Sequence, residues 1–139
     1  MELKNSETKL NLMRAFAGES QARNRYTFAA SEAKKQNLHV VEAIFSFTAG
    51  QEKEHAELFY NQLKSVSGEN ICVDGSYTVD ISDSVLELLK SAKHNEYEEY
   101  NDAYKNFAAI AEQEGFSQIS TLFRNIAEIE KTHGDRFAR

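Results

Sequence analysis

The stretch AGQEKEHAEL, residues 49 to 58, sets Glu52 and His55 three positions apart inside a run with helical periodicity. On a helix, side chains at i and i+3 share a face and can aim at one point. A lone pair of this kind is ordinarily a solvated face, so its meaning depends on the rest of the chain. At an offset of 78 residues, EKEH (52 to 55) is echoed by EKTH (130 to 133). FAASEAKKQN from Phe28 and FAAIAEQEGF from Phe107 repeat each other at an offset of 79. The two halves read as an old duplication with one Glu-x-x-His pair in each.

Working outward, the chain has no proline and only six glycines, so long helices run without their two main breakers. Apolar residues at three- and four-residue steps (Leu10, Met13, Phe16, Ala17, Ala22, Tyr26, Ala29, Ala30, Ala33) predict a helix over about 6–36, with Asn37 as a left-handed stop. A second helix is expected over 38–67, its buried side marked by Val41, Ile44, Phe45, Phe47, Thr48, Phe59, Leu63 and Val66. A third is expected over 84–113, opened by Ser84 and Glu87 at capping-box spacing, and a fourth over 116–139. Between the hairpins GENICVDGSYTVDI has no helical period, so 68–83 is a connector. Such a segment spans ~45 Å when extended, about the length of a 30-residue helix. The predicted fold is therefore all-α, a ferritin-like four-helix bundle of two helical hairpins joined by a long crossover. Swapping of hairpins between two chains stays open.

At 139 residues and 41% hydrophobic, the chain suits a single domain over 1–139. A net charge of −6 without a basic block excludes a nucleic-acid surface. No apolar run approaches the ~20 residues a membrane span needs, and the amino terminus lacks a signal-peptide core. A cytoplasmic protein is expected. Cys72, the single cysteine, allows neither an internal disulfide nor a thiolate metal site within one chain.

Counted from the turns near 37 and 114, Glu19, Glu52, Glu99 and Glu130 fall near midheight on the four predicted helices. Carboxylates buried in a bundle cost several kcal/mol each unless a cation compensates, which points to bound metal. A glutamate from each of two helices plus Glu-x-x-His from each of the other two is the ligand set of ferritin-like di-iron and di-manganese bundles. Glu19, Glu96, Glu52 with His55, and Glu130 with His133 supply it. Mixed oxygen and imidazole donors suit iron, with manganese or zinc as substitutes.

AFAGESQARNRY (15 to 26), QEKEH (51 to 55), NEYEEY (95 to 100) and EIEKTHGDRF (128 to 137) resemble the di-iron domain of rubrerythrins over nearly the whole chain. The resemblance implies seven ligands to two iron ions bridged by oxo and carboxylate groups: Glu19, Glu52, His55, Glu96, Glu99, Glu130 and His133. It implies that Glu99 and His55 exchange as ligands to one iron when the redox state changes. The implied activity is a non-haem di-iron peroxidase that reduces hydrogen peroxide to water in oxidative-stress defence. Glu99 would carry the proton, and Tyr26 and Tyr104 would steer the carboxylates. A homodimer and a rubredoxin-like electron donor are expected. Rubrerythrins commonly add a four-cysteine rubredoxin-like domain and this sequence stops at DRFAR, so the expected donor is either a missing domain of that kind or a separate rubredoxin-type protein. The alternative is a ferritin-like ferroxidase or iron-binding protein. His39 and His94 read as surface residues, and Arg14, Arg23 and Arg25 as ion-pair partners on the first helix.

Overall fold

The computed structural model describes residues 1–138, with nothing taken from the side chains of Tyr100 and Asn101; Arg139, the end of the predicted fourth helix, lies outside the described residues. The helices are α1 (Glu7–Lys35), α2 (His39–Asn61), α3 (Val85–Glu98), α4 (Tyr104–Gln113) and α5 (Ser117–Phe137), with a π-helical turn Glu99–Ala103 joining α3 to α4. Among the described residues there is no strand, and no helix is long and apolar enough to cross a membrane. The second helix stops at Asn61, short of 67; a 3-10 turn, Lys64–Val66, takes up the remainder.

The helix ends carry the duplication down to the backbone. Asn37 sits at φ 59° and Gly115 at φ 88°, both left-handed stops. Leu38 N–H donates to Ala33 O (2.9 Å) and Asn37 N–H to Lys34 O (3.0 Å); 78 residues later Phe116 N–H donates to Ala111 O (2.8 Å) and Gly115 N–H to Glu112 O (3.1 Å). Each set is the double hydrogen bond of a Schellman cap. Ser6 and Ser84 cap the starts of α1 and α3 by accepting from the N–H groups of Lys9 and Glu87.

Cross-chain contacts fix the topology. Tyr26 reaches Glu96, Tyr104 reaches Glu19, and Glu114 accepts from the N–H groups of Glu7 (2.9 Å) and Thr8 (2.8 Å). The third helical rod, α3 to α4, therefore runs antiparallel to α1 and hence parallel to α2, as a crossover requires. The Glu114 carboxylate also satisfies N–H groups that the first turn of α1 would leave unpaired. The connector climbs beside α1 in extended form, held by Arg14–Asp74 (3.2 Å), Arg25–Asp80 (3.0 Å) and Gln36 Nε2 to Asp83 O (2.6 Å). Arg14 and Arg25 thus pair with the connector, Arg14 binding Glu7 on its own helix as well.

Two apolar clusters fill the bundle. One joins Leu12, Ala15, Phe59, Tyr104, Phe123 and Ala127; the other joins Ala22, Tyr26, Phe45, Ala49, Ala92 and Phe137. On every rod the interval between the clusters holds the acids: Glu19 between Ala15 and Ala22, Glu52 and His55 between Ala49 and Phe59, Glu96 between Ala92 and Tyr104, Glu130 and His133 between Ala127 and Phe137. The buried stripe of α1 runs through Thr8, Leu12, Ala15, Glu19 and Ala22, so Met13, Phe16 and Ala17 flank it half-buried instead of lying at its centre. Phe47 is exposed and stacks under Arg136. His39 and His94 are exposed beside Glu42 and Glu98.

Candidate metal centre

The π turn aligns the third rod with the site. Eight residues separate Glu96 from Tyr104, which on an uninterrupted α-helix would set them about 80° apart. Tyr104 N–H donates to Glu99 O, five residues back, and the extra residue in that turn brings both side chains to the buried face.

Six of the predicted ligands meet in two overlapping groups. In one, donor atoms of Glu19, Glu52, His55 and Glu130 lie within 4.8 Å of one another; in the other, those of Glu52, Glu96, Glu130 and His133 do. Glu52 and Glu130 belong to both, which is the placement bridging carboxylates require. His55 Nδ1 lies 3.3 Å from Glu130 Oε1 and 3.8 Å from Glu19 Oε1. His133 Nδ1 lies 3.0 Å from Glu52 Oε1 and 3.7 Å from oxygens of Glu96 and Glu130. The imidazole rings are nearly parallel, with centroids 5.9 Å apart. Glu99 is not brought into either group: it starts the π turn, half-buried, beside a cleft.

Tyrosines hold two of the carboxylates, each reaching across from the other half of the chain. Tyr26 Oη donates to Glu96 Oε1 (2.7 Å) and Tyr104 Oη to Glu19 Oε1 (2.8 Å). Burial, reinforced by the charge of Glu99, pushes both phenols well above their usual value, so they stay protonated donors. The two tyrosines lie 78 residues apart in sequence, the offset of the duplication, whereas their partners Glu19 and Glu96 lie 77 apart.

What remains unsatisfied identifies the ligand type. Glu19 Oε2, both oxygens of Glu52 and Glu130, Glu96 Oε2, Glu99 Oε2 and the Nδ1 atoms of His55 and His133 are buried without a hydrogen-bond partner. Such orphans are rare in proteins, and here they converge. Two divalent cations carry four positive charges against the five of Glu19, Glu52, Glu96, Glu99 and Glu130, and oxygen with imidazole is a donor set suited to iron. The residues fit a dinuclear metal centre.

Without cations the cluster is strained electrostatically. Burial, then the charge of Glu130, lifts the Glu52 carboxyl well above its usual value, and burial lifts Glu99 to about 7. Burial alone would lower His133, but Glu130 and Glu52 outweigh it and raise it to about 9. The signs agree. Above their ordinary 4.5 the unfolded carboxyls have lost protons that the folded ones retain, so stability falls as pH rises. The stability contributed by His133 is complete below 6.5 and lost as pH rises through about 9. The metal-free protein is thus expected to melt at progressively lower temperature from about pH 5 to about pH 9. Thermal denaturation in chelator checks this; a melting temperature that rises over that interval contradicts it.

A cleft of about 390 Å³ opens beside Glu99. Tyr104 and Gly18 line its inner side, Arg14 and Arg25 its flanks, and the connector's Tyr77 its cover. Asp80 ties this cover down by pairing with Arg25 (3.0 Å) and accepting from Asn95 Nδ2 (3.2 Å). Neither this cover nor the π turn was signalled by helical periodicity. Gln51 was also missed; its Oε1 lies 2.6 Å from His133 Nε2.

Residues 11–139 match a family model described as rubrerythrin. Rubrerythrin of Porphyromonas gingivalis is 44% identical over 135 residues, which cover 97% of this chain and 66% of that protein. Rubrerythrin of Clostridium perfringens is 41% identical over 138 residues, covering 99% of this chain and 71% of its own. The chain thus spans between 66% and 71% of the length of these two relatives. Among solved structures, nigerythrin in its fully reduced, all-ferrous state superposes with a TM-score of 0.83 at 27% identity, over 96% of this chain and 68% of that one.

Proposed function

We propose that this chain, which belongs to the rubrerythrin family, is a non-haem di-iron peroxidase that reduces hydrogen peroxide to water. It is a ferritin-like protein of an oxidoreductase family. The observation that carries the finer reading is the pair of four-residue groups sharing Glu52 and Glu130, with Glu99 outside them at the cleft. Glu19, Glu52, His55 and Glu130 would hold one iron; Glu52, Glu96, Glu130 and His133 the other. Peroxide takes two electrons and two protons to give two waters, and a pair of ferrous ions held at this spacing would supply both electrons to one substrate molecule.

The chain's own groups do the rest. The cleft admits a small polar oxidant to the side of the cluster where Glu99 stands. Burial favours the protonated carboxyl of Glu99, which can keep a proton and release it to the departing oxygen. Tyr26 and Tyr104 fix Glu96 and Glu19 so that only the Glu99 side is free to rearrange. His55 faces the first group while Glu99 stays out of it, so the geometry supports the His55-ligated member of a Glu99/His55 exchange.

The 139 residues are read as one di-iron domain, forming a homodimer and reduced by a rubredoxin-type centre. A cytoplasmic setting suits a chain whose single cysteine, Cys72, is exposed and free. Sustained peroxide consumption is expected to require a reduced rubredoxin and to release no dioxygen. Oxygen evolution without reductant would instead make the protein a catalase.

A further inference from the structure

We propose that Gln51 is a positioning residue that locks His133 onto its metal, and that Ile129, the residue equivalent to Gln51 in the second half of the chain, leaves His55 without such a lock. This rests on the dinuclear-metal reading of the site. It explains from the chain's own residues why the two histidines of a duplicated motif are unequal.

His133 has one ring nitrogen, Nδ1, turned to Glu52, Glu96 and Glu130, and the other, Nε2, 2.6 Å from Gln51 Oε1. The amide oxygen only accepts, so Nε2 carries the hydrogen and donates it. The tautomer that remains keeps the Nδ1 lone pair for a metal. A ligating histidine is commonly oriented in this way by a partner on its other nitrogen. The hydrogen bond also crosses the repeat: Gln51 lies on α2 of the first half and His133 on α5 of the second.

The duplication predicts the reciprocal brace and the sequence withholds it. At the offset of 78 that relates Glu52 to Glu130 and His55 to His133, QEKEH aligns with IEKTH, and Gln51 falls on Ile129. An isoleucine side chain accepts no hydrogen bond. Ile129 is 36% exposed, and His55, at 6%, is less enclosed than His133, at 1%. For His133 to leave its metal it would give up a second bond as well; with no hydrogen-bond partner on Nε2 among the described residues, His55 would give up the metal alone. The Gln51 contact thus accounts for why the exchange proposed above would take His55 and not His133.

The test uses the zinc-loaded protein, read by imidazole nitrogen NMR, and cobalt(II) titration read by visible absorbance. One imidazole N–H, that of His133, is expected to be protected from solvent exchange, with none from His55. Gln51→Leu should abolish that signal and weaken one of the two cobalt ions by about 10- to 100-fold, leaving the other ion unchanged, and should lower the metal-free melting temperature because His133 Nε2–H loses its acceptor. Gln51→Glu, which restores an acceptor, should restore the signal. Equal protection of both histidines, parallel weakening of both ions in Gln51→Leu, or no effect of that change would overturn the proposal. Because neither readout involves peroxide, failure of the peroxidase reading leaves this result standing. Failure of the wild-type chain to bind two ions would overturn the metal reading itself.

Discussion

Glu130→Ala is expected to abolish binding of both iron ions, whereas Glu96→Ala should abolish only one. The difference follows from membership: Glu130 stands in both four-residue groups and Glu96 in one. Glu52→Ala should behave like Glu130→Ala for the same reason. The effect on stability differs in the two states. In the metal-free protein the fully buried Glu130 carboxylate repels its acidic neighbours but also pairs with His55 (3.3 Å) and His133 (3.7 Å), so its removal relieves one strain, creates another and should change melting little. In the loaded protein each ion present at a hundred times its dissociation constant contributes about 2.7 kcal/mol, and the variant loses both contributions. The gap in melting temperature between loaded and chelated protein should accordingly collapse in Glu130→Ala and fall by about half in Glu96→Ala. Iron analysis after anaerobic loading, paired with melting curves, checks both statements. Retention of two irons by Glu130→Ala would remove the shared-carboxylate geometry from the account.

Glu99→Gln should produce the converse pattern, with iron retained and chemistry lost. Glu99 lies outside both groups, so the substitution leaves their donor atoms in place. An amide of the same shape holds no acidic proton, and loss of a positioned general acid ordinarily costs about 10²- to 10⁴-fold. Burial lifts the Glu99 carboxyl to about 7 in the metal-free protein and cations beside it would draw it down, so the wild-type oxidation rate should fall as pH rises through a value below 7 and the variant should lose this dependence. Anaerobic mixing of ferrous-loaded protein with peroxide across that range measures both. A variant that reacts at the wild-type rate with the wild-type pH profile would assign the proton to another group, with Tyr104, which lines the same cleft, a candidate.

Much of this arrangement is visible in the sequence because duplication repeats spacing. The echo of EKEH in EKTH, the stops at Asn37 and Gly115, and the fourteen-residue gap between hairpins suffice to predict a crossover bundle with acids at midheight. The less visible features depend on rotation and side-chain reach. Helical periodicity tolerates one inserted residue, so the π turn at Glu99–Ala103 left no mark although it is what aligns Tyr104 with Glu96. The stripe expected through Met13 and Phe16 lies slightly to one side of the true one, because the centre of the buried face of α1 is occupied by Glu19, a residue that apolar periodicity does not count. Phe47 counted as apolar and lies at the surface. The cover over the cleft depends on Asp80 reaching Arg25 and Asn95 from an irregular connector, contacts that no local pattern encodes. Glu99 shows the limit most clearly: proximity to Glu96 in sequence does not decide which of two positions its carboxylate takes, and here it stands at the cleft.

The central claim is that this buried cluster of carboxylates and histidines works as a peroxide-reducing di-iron centre. Stopped-flow oxidation of the anaerobic, ferrous-loaded protein, with hydrogen peroxide and dioxygen compared as oxidants, tests it most directly. The account predicts that peroxide reacts much faster and that each molecule consumed oxidises about two ferrous ions per chain. Faster reaction with dioxygen, with added ferrous ion consumed well beyond that stoichiometry, would contradict it and make the protein a ferroxidase.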